Sequence, residues 1–482
     1  MIAIDMQPFS TVEDEGFRRF CALANLPSRR HMSEKILEDL QEKIRLRVYK
    51  EVEKTDQFVI SLDIWTSKDT DSYLGVIAHW VTKDYVRQQF VLAVTSLTSN
   101  HTAANIQCLL LGVLEKWNIT EKIQLLLRDG GSNTVKVAAD TKLPDATCFL
   151  HSPHLVVKEG LLSQRAVSDI VSTSKRTVSH FKHSPTAKNR FKDIQAEIGL
   201  VQHFLLQKEP TRWNTCLYML ERLGEQQWAI MLYSSEHDFG HNLTARQWQL
   251  LEKIIRILQP FEEATRLCSA DSASISLVIP TIKMLTMSLN STENDSGVET
   301  MKETLLHEMD QCFSYYVKNP IYSMATRLDP RFKNKFFPSD ALAKKAISDL
   351  AELVDEIIEK DATAQNNTLS TEGESPKRKR IRKDTDTNSF WDANDVCTST
   401  PSETRLEVAE PLMKRDKCPL SFWKTNNTRC PELAKLAQKY LVPPPGTIAT
   451  EQIFKVSSGL TENRYYLLPE KVDKLTFICV NA

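Results

Sequence analysis

The sequence has little of several features that mark large classes of protein. Glycine accounts for only 13 of the 482 residues, less than half of the ~7% average, which disfavours enzymes built on Gly-rich phosphate loops and indicates much helix. No apolar run approaches the ~18 residues that a membrane-spanning helix needs. The first ten residues contain Asp5 and no basic cluster, so they do not form a secretory signal. The ten cysteines include no Cys-x-x-Cys pair, which favours a reduced, intracellular chain over a disulfide scaffold.

An excess of charge is also missing. The 61 lysines and arginines balance 62 carboxylates, giving a net charge of −1. Binding of nucleic acid would therefore have to depend on a local basic surface rather than on the charge of the whole chain. At ~150 residues per domain, the length predicts two to four domains.

The first part of the chain alternates between strand and helix patterns. Three β-rich runs with short connections predict an antiparallel meander, and they are followed by a helix, a buried strand, a second helix and a last short strand. This order predicts an α/β fold with a mixed sheet. The strands are predicted at residues 58–65, 73–81, 88–97, 123–127 and 146–149, and the first helix at 102–117.

Helical spacing dominates from about residue 195 onward. A long helix carries Trp248 and Phe261 on one face and is predicted to be interrupted at Pro260. Residues 361–410 are poor in apolar side chains and are typical of a disordered linker. Order is predicted to resume near Pro419, with a helix that opens at Pro431.

Two carboxylates are the leading candidates for chemistry. Asp63 lies in the first predicted strand and Asp129 directly follows the fourth. A lone acid at a strand end is usually a capping residue. If these two strands are neighbours, however, both acids could share a divalent ion such as Mg²⁺ and support two-metal phosphoryl transfer.

A second group could be interpreted as a zinc site. Cys148, His151 and His154 are close in sequence, but a fourth ligand at the usual spacing is missing. A buried junction between strand and helix is the favoured interpretation, and no zinc is expected in this chain.

Two further motifs could contact nucleic acid. Arg212 and Trp213 precede an amphipathic helix, where the arginine could hold a phosphate while the ring stacks on an extruded base. An anchoring role for Trp213 at the start of the helix is equally consistent with the sequence. A basic run within the predicted linker is typical of a nuclear-import signal or a phosphate-binding patch, and consists of Lys377, Arg378, Lys379, Arg380, Arg382 and Lys383.

In this order the segments resemble the transposase body of the hAT superfamily, and within it the zinc finger BED domain-containing proteins. The resemblance covers nearly the whole chain. Its motifs are Ser61-Leu62-Asp63-Ile64-Trp65-Thr66-Ser67, Asp129 with Asn133, Cys148 with His151, Thr211-Arg212-Trp213-Asn214, Leu328-Asp329-Pro330-Arg331-Phe332, and Pro431 to Gly459.

The resemblance implies a ribonuclease H-like mixed sheet interrupted by a large helical insertion, with a C-terminal helical dimerisation region. In active relatives Asp63, Asp129 and Glu451 would be the catalytic acids that hold Mg²⁺ or Mn²⁺, and Trp213 would stabilise a flipped base. The predicted divisions are an N-terminal helical region (1–54), the first part of the core (55–194), the helical insertion (195–360), a disordered basic linker (361–418) and the dimerisation region that completes the core (419–482).

The chain departs from the family at two points. The family's Ser-Glu-Arg-x-Phe-Ser motif is replaced by Thr450-Glu451-Gln452-Ile453-Phe454-Lys455, and no BED finger is found, so that the sequence is either truncated or without that module. We therefore expect a domesticated nuclear protein that binds DNA, dimerises and regulates transcription, with neither a membrane nor a small molecule as partner. The alternative is an active DNA transposase with a two-metal Asp/Asp/Glu site.

Dimerisation has a second basis in the sequence. Two C-terminal stripes hold more apolar surface than one short helix can bury, and a second copy could cover the surplus. Packing of these helices back on the sheet is equally compatible with the pattern. The stripes consist of Leu433, Leu436, Ala437, Tyr440 and Leu441, and of Val472, Leu475, Ile478 and Cys479.

Overall fold

The fold is seen in a computed structural model of the chain. It describes residues 27–66, 72–97, 101–207, 213–291, 296–365, 412–447 and 469–481.

A five-stranded mixed sheet forms the centre of the first part of the chain. Its order is β3-β2-β1-β4-β5, in which β1, β2 and β3 pair antiparallel while β4 and β5 run parallel to β1. The predicted meander and mixed sheet are thereby confirmed, as is the adjacency of the first and fourth strands. The strands are β1 (Phe58–Thr66), β2 (Ser72–Val81), β3 (Arg87–Ser96), β4 (Ile123–Arg128) and β5 (Asp145–Thr147).

Three helices cover one face of the sheet. Successive side chains of β1 point to opposite faces, so that every second residue packs against these helices. Phe58, Ile60 and Leu62 point into an apolar cluster with these helices, whereas Val59 belongs to a second cluster on the opposite face. The helices are α1 (Leu37–Glu53), α2 (Ala103–Lys116) and α3 (Ser132–Thr141).

The opposite face carries a large helical region. It begins at His151, and the predicted division at residue 194 falls within α6. The region consists of α4 (His151–Ser163), α5 (Arg165–His183), α6 (Pro185–Glu197), α7 (Trp213–Glu225), α8 (Gln227–Glu236), α9 (Ala245–Cys268), α10 (Val278–Leu289), α11 (Glu299–Lys318), α12 (Pro320–Leu328) and α13 (Asp340–Gln365).

Helix α9 continues through Pro260, so the predicted interruption is wrong. A proline removes one backbone hydrogen bond, at a cost of about 3 kcal/mol. Leu258 and Phe261 on either side of it are fully buried, and a capping box formed by Thr244 and Gln247 fixes the start of the helix. Burial of both flanking turns outweighs the lost bond.

Three C-terminal helices pack back on the molecule. They are α14 (Pro419–Asn426), α15 (Pro431–Tyr440) and α16 (Pro469–Asn481). Leu436 and Leu441 are buried against the helical region, while Leu475 and Ile478 are buried against the α1 face of the sheet. The C-terminal apolar stripes are therefore covered largely within one chain, and they give no separate argument for a second copy.

Side chains satisfy backbone groups at single positions on both edges of the sheet. At β3, a bulge opposite residues 76 and 77 follows Val91. The N–H and C=O of Val91 both bond to the Asn481 side-chain amide, at 3.0 and 2.8 Å. At β5, Tyr322 donates to the Thr147 carbonyl at 2.6 Å. Tyr316 donates to the next carbonyl, that of Cys148, at 3.1 Å.

Arg87 joins the sheet to both helical parts of the molecule. Its guanidinium donates to the carbonyl of Ala273 and to that of Leu441, each at 2.5 Å. Its charge and the burial of the region act on His79, which is 2% exposed and lies 2.8 Å from the Ser61 hydroxyl. Burial first, and then Arg87, lowers the pKa of His79 to about 3.

Among the described helices, none combines the length and the apolar character that a membrane span requires.

Protonation of His79 on unfolding makes stability depend on pH. The pKa of His79 is about 3 in the folded protein and about 6.5 in the unfolded chain. The stability that depends on a neutral His79 is therefore fully present above pH 6.5, and it is lost progressively as the pH falls below that value. We expect His79→Gln, which keeps a polar partner for Ser61, to remove up to about 2 kcal/mol of the stability loss between pH 7 and 5. Urea unfolding at both pH values measures this.

The matched control is His307→Gln, because His307 is exposed on α11. Parallel behaviour of the two variants across this pH range would contradict the assignment.

Candidate functional site

Asp63 and Asp129 lie at the same level on neighbouring parallel strands. The register pairs Ser61 with Leu127, and each acid comes two residues later. Neighbouring strands are about 4.8 Å apart, and residues two apart point to the same face. The two carboxyl groups, both half-buried, therefore meet at one edge of the sheet.

The loop after β4 holds Asp129 in place. Its Oδ1 accepts the Gly131 N–H at 3.1 Å and the Thr134 hydroxyl. This is an Asx turn at the start of α3, where the helix N-terminus favours a negative charge. Among the described residues, nothing donates a hydrogen bond to Oδ2. Asn133 bonds to the neighbouring loop, where its side-chain amide donates to the His101 carbonyl at 2.6 Å.

Asp63 is tied to the C-terminal part of the chain. Its Oδ1 accepts the Ile64 N–H at 3.0 Å, and its Oδ2 accepts the Thr447 hydroxyl at 3.3 Å. Thr447 was missed in the sequence because 384 residues separate it from its partner. The signal that could have found it is the Pro-Pro-Pro-Gly turn at residues 443–446, which ends α15 and fixes the path of the chain.

That turn packs directly on the junction after β5. The Phe149 N–H donates to the Pro445 carbonyl at 2.8 Å. A Cβ atom at Gly446 would lie 2.6 Å from Leu150 Cδ1 and 2.9 Å from Cys148 Sγ. Only glycine allows the backbone to come this close without displacement of its neighbours.

Cys148 and His151 form a hydrogen-bonded pair beside the acids. The Cys148 Sγ lies 3.2 Å from His151 Nδ1 and accepts the Thr447 N–H at 3.4 Å. The bond to Cys148 and the charge of that residue, followed by the charges of Asp63 and Asp129, raise the pKa of His151 to about 10. His151 thus lies within electrostatic reach of both carboxylates.

These contacts support the interpretation of this segment as a junction between strand and helix, in which Cys148 is buried and His151 is exposed. Within the part of the chain that the structure describes, no three His, Cys, Asp or Glu side chains cluster closely enough to hold a metal ion.

The structure brings together only some of the predicted site residues. Trp213 is the first residue of α7, is 6% exposed and belongs to the helical core, which favours its anchoring role over base stacking in this conformation. Glu451, Arg212 and the basic run at 377–383 lie outside the described residues.

Three family models match the chain. The ZBED1 RNase-like domain matches residues 61–144, which include both aspartates, and the ZBED1 RNase-like helical domain matches 146–257. The hAT family C-terminal dimerisation region matches 403–481.

Full-length relatives point the same way. Human zinc finger BED domain-containing protein 4 is 27% identical over the whole chain and 43% of its own length, and human zinc finger BED domain-containing protein 6 is 25% identical over the whole chain and 54% of its length. A putative AC transposase of maize is 22% identical over 94% of the chain and 61% of its length. The chain thus spans about half the length of the curated relatives it matches. With its RNase-like sheet, helical domain and C-terminal dimerisation region in family order, the chain belongs to the hAT superfamily of transposase-derived proteins, together with the zinc finger BED domain-containing proteins.

Proposed function

We infer that the chain is a domesticated transposase-like protein that dimerises, binds DNA in the nucleus and regulates transcription rather than moving DNA. This inference rests on the direct contacts between the dimerisation region and the RNase-like sheet. Arg87 joins β3 to the Leu441 carbonyl, and Thr447 reaches Asp63. A regulatory role is supported by a putative transcriptional regulator of Talaromyces stipitatus, 22% identical over 98% of the chain and 60% of its own length.

The replacement of the family's Ser-Glu-Arg-x-Phe-Ser motif favours a protein that no longer transposes. Around Glu451 the arginine becomes Gln452 and the last serine becomes Lys455. These changes remove one cation and add another next to the third acid.

An active two-metal transposase is the second candidate, and the arrangement of the acids favours it. Asp63 and Asp129 share one level of the sheet, and hard carboxylate oxygens suit Mg²⁺ or Mn²⁺. Glu451 follows Thr447 by four residues, a span of at most ~14 Å in extended chain. When bound, such ions would activate water and stabilise charge on a scissile phosphate.

The donors present fit this role in part. The Asp129 Oδ2 is available on the half-buried edge, while the nearby His151, whose pKa is raised, opposes a bound cation when it is protonated. We therefore expect weak rather than tight binding of divalent ions by the two aspartates.

The first prediction from the proposed function concerns self-association. We expect the intact chain to scatter light with twice its 55.1 kDa mass at micromolar concentration. A constant monomer mass across this concentration range would exclude dimerisation.

The second prediction concerns the acids. Millimolar Mg²⁺ or Mn²⁺ should raise the melting temperature by about 1 °C for each kcal/mol of binding linked to the folded state, because the entropy of unfolding grows with chain length. Asp129→Asn should abolish this rise. The control is Asp140→Asn, which removes the same charge from an exposed position on α3. Equal metal responses of the parent and both variants would rule out a metal site at Asp129.

The third prediction concerns location. Alanine at Lys377, Arg378, Lys379, Arg380, Arg382 and Lys383 should move a fluorescently tagged protein from the nucleus to the cytoplasm, because an import receptor binds clustered positive charge. Exchanging each lysine for arginine and each arginine for lysine at the same positions keeps the charge and should leave the protein nuclear. Nuclear fluorescence that is unchanged by the alanines would contradict the signal.

A further inference from the structure

Helices α5 and α6 form a basic corner in a chain of almost no net charge. Together they carry seven lysines and arginines against three carboxylates. Arg190 is occupied by Glu197 and Glu236, at 2.6 and 2.5 Å. The remaining cations, among them Arg176 and Lys188, are exposed. This is the local basic surface that the balanced composition requires of a polyanion-binding protein.

A groove opens at this corner, with about 400 Å³ of space, enough for a phosphate and its sugar. None of the described residues that line it is acidic. The lining consists of Arg176, Ser179, His180, His183, Ser184 and His241. Two nearby carboxylates form hydrogen bonds outside the groove. Glu236 accepts a hydrogen bond from the Arg190 guanidinium, and Asp238 accepts one from the Gly240 N–H at 3.1 Å.

One lining atom lacks a hydrogen-bond partner among the described residues. The Nδ1 of His241 is buried and unsatisfied, and such atoms are costly unless a ligand or water reaches them. His180, beside it, is held by the Tyr233 hydroxyl at 3.1 Å and by stacking on the Phe239 ring. His183 and Arg176 are the exposed members of the lining. Together with the serine hydroxyls, the groove presents imidazole and guanidinium groups suited to an anionic oxygen ligand.

The groove continues into an exposed aromatic surface. Ser184 lines the groove and caps α6, and Lys188 lies one turn further along that helix. The Lys188 Nζ lies 4.5 Å from the centroid of the Phe204 ring, which is 61% exposed. On the other side, Lys182 Nζ donates to the Gln207 side chain at 2.5 Å. Phe204 and the groove thus belong to one surface.

We propose that this corner binds single-stranded DNA, with a backbone phosphate in the groove and an unpaired base against Phe204. The inference rests on the proposed function, and it deepens that function by naming the form of DNA. A duplex could satisfy the cations, but its bases are stacked on one another and leave the exposed ring without a partner. Aromatic rings beside a basic groove are typical of single-strand binding.

The test uses the full chain and fluorescence anisotropy with labelled oligodeoxythymidylate and with a duplex of the same length. Phe204→Leu should weaken single-strand binding by about tenfold, because one stacked base is lost, and should leave its salt dependence and duplex binding unchanged. Arg176→Ala should weaken single-strand binding and reduce the slope of log K against log salt by about 0.7, the value for one phosphate contact. Both positions are exposed, and equal melting temperatures confirm that the fold is kept.

The matched control is Arg165→Ala, which removes the same charge from the same helix about 16 Å away. Equal weakening by Arg165→Ala and Arg176→Ala would overturn the proposal in favour of diffuse charge, as would unchanged binding by Phe204→Leu. If the parent binds duplex while these variants alter nothing, only this inference fails. If the parent binds neither DNA, DNA binding as a proposed function fails too.

Discussion

The parallel pairing of β1 with β4 is the constraint on which the rest of the molecule depends. Parallel strands require a long connection, which here consists of β2, β3 and α2. Of these elements, β2 and β3 extend the sheet, and α2 covers one of its faces. The pairing brings the carboxyl ends of both strands to one edge and sets Asp63 level with Asp129. The next pair along the sheet places Cys148 level with Asp129. Acid, acid and thiol are thus aligned by backbone register before any side chain is considered.

Arg87 extends this order to regions remote in sequence. Its two bonds reach carbonyl groups 186 and 354 residues away. Burial and the Arg331 charge lower the pKa of its guanidinium to about 10, and both bonds compensate for part of the desolvation. The buried pair of Asp329 and Arg331, at 2.7 Å, anchors the same side of the helical region. Three parts of the chain are therefore locked together by polar contacts as well as by apolar packing.

The local patterns of the sequence contained most of the sheet. The β-rich apolar runs of β1 and β4 were sufficient to predict the two strands, and the order of the elements was sufficient to predict the proximity of their acids. The local sequence patterns gave wrong or missing predictions where the structure of a segment depends on contacts with residues distant in sequence. Pro260 was expected to break a helix that buried turns on both sides keep intact, and Thr447 had no local sign of its contact with Asp63. Trp213 showed an ambiguity of another kind, because a ring at a helix start has the same sequence pattern whether it is buried or exposed.

The satisfied positions on the edges of the sheet have a consequence for assembly. The Asn481 amide occupies the place of a peptide group opposite Val91, and two tyrosine hydroxyls and the Pro445 carbonyl do the same along β5. An exposed sheet edge is a template for a further strand, in regular dimers and in aggregates alike. With these backbone groups already satisfied, two copies of the protein cannot join by continuing one sheet into the other at these positions. At these positions association has to use helical or loop surfaces instead of the sheet that holds the acids.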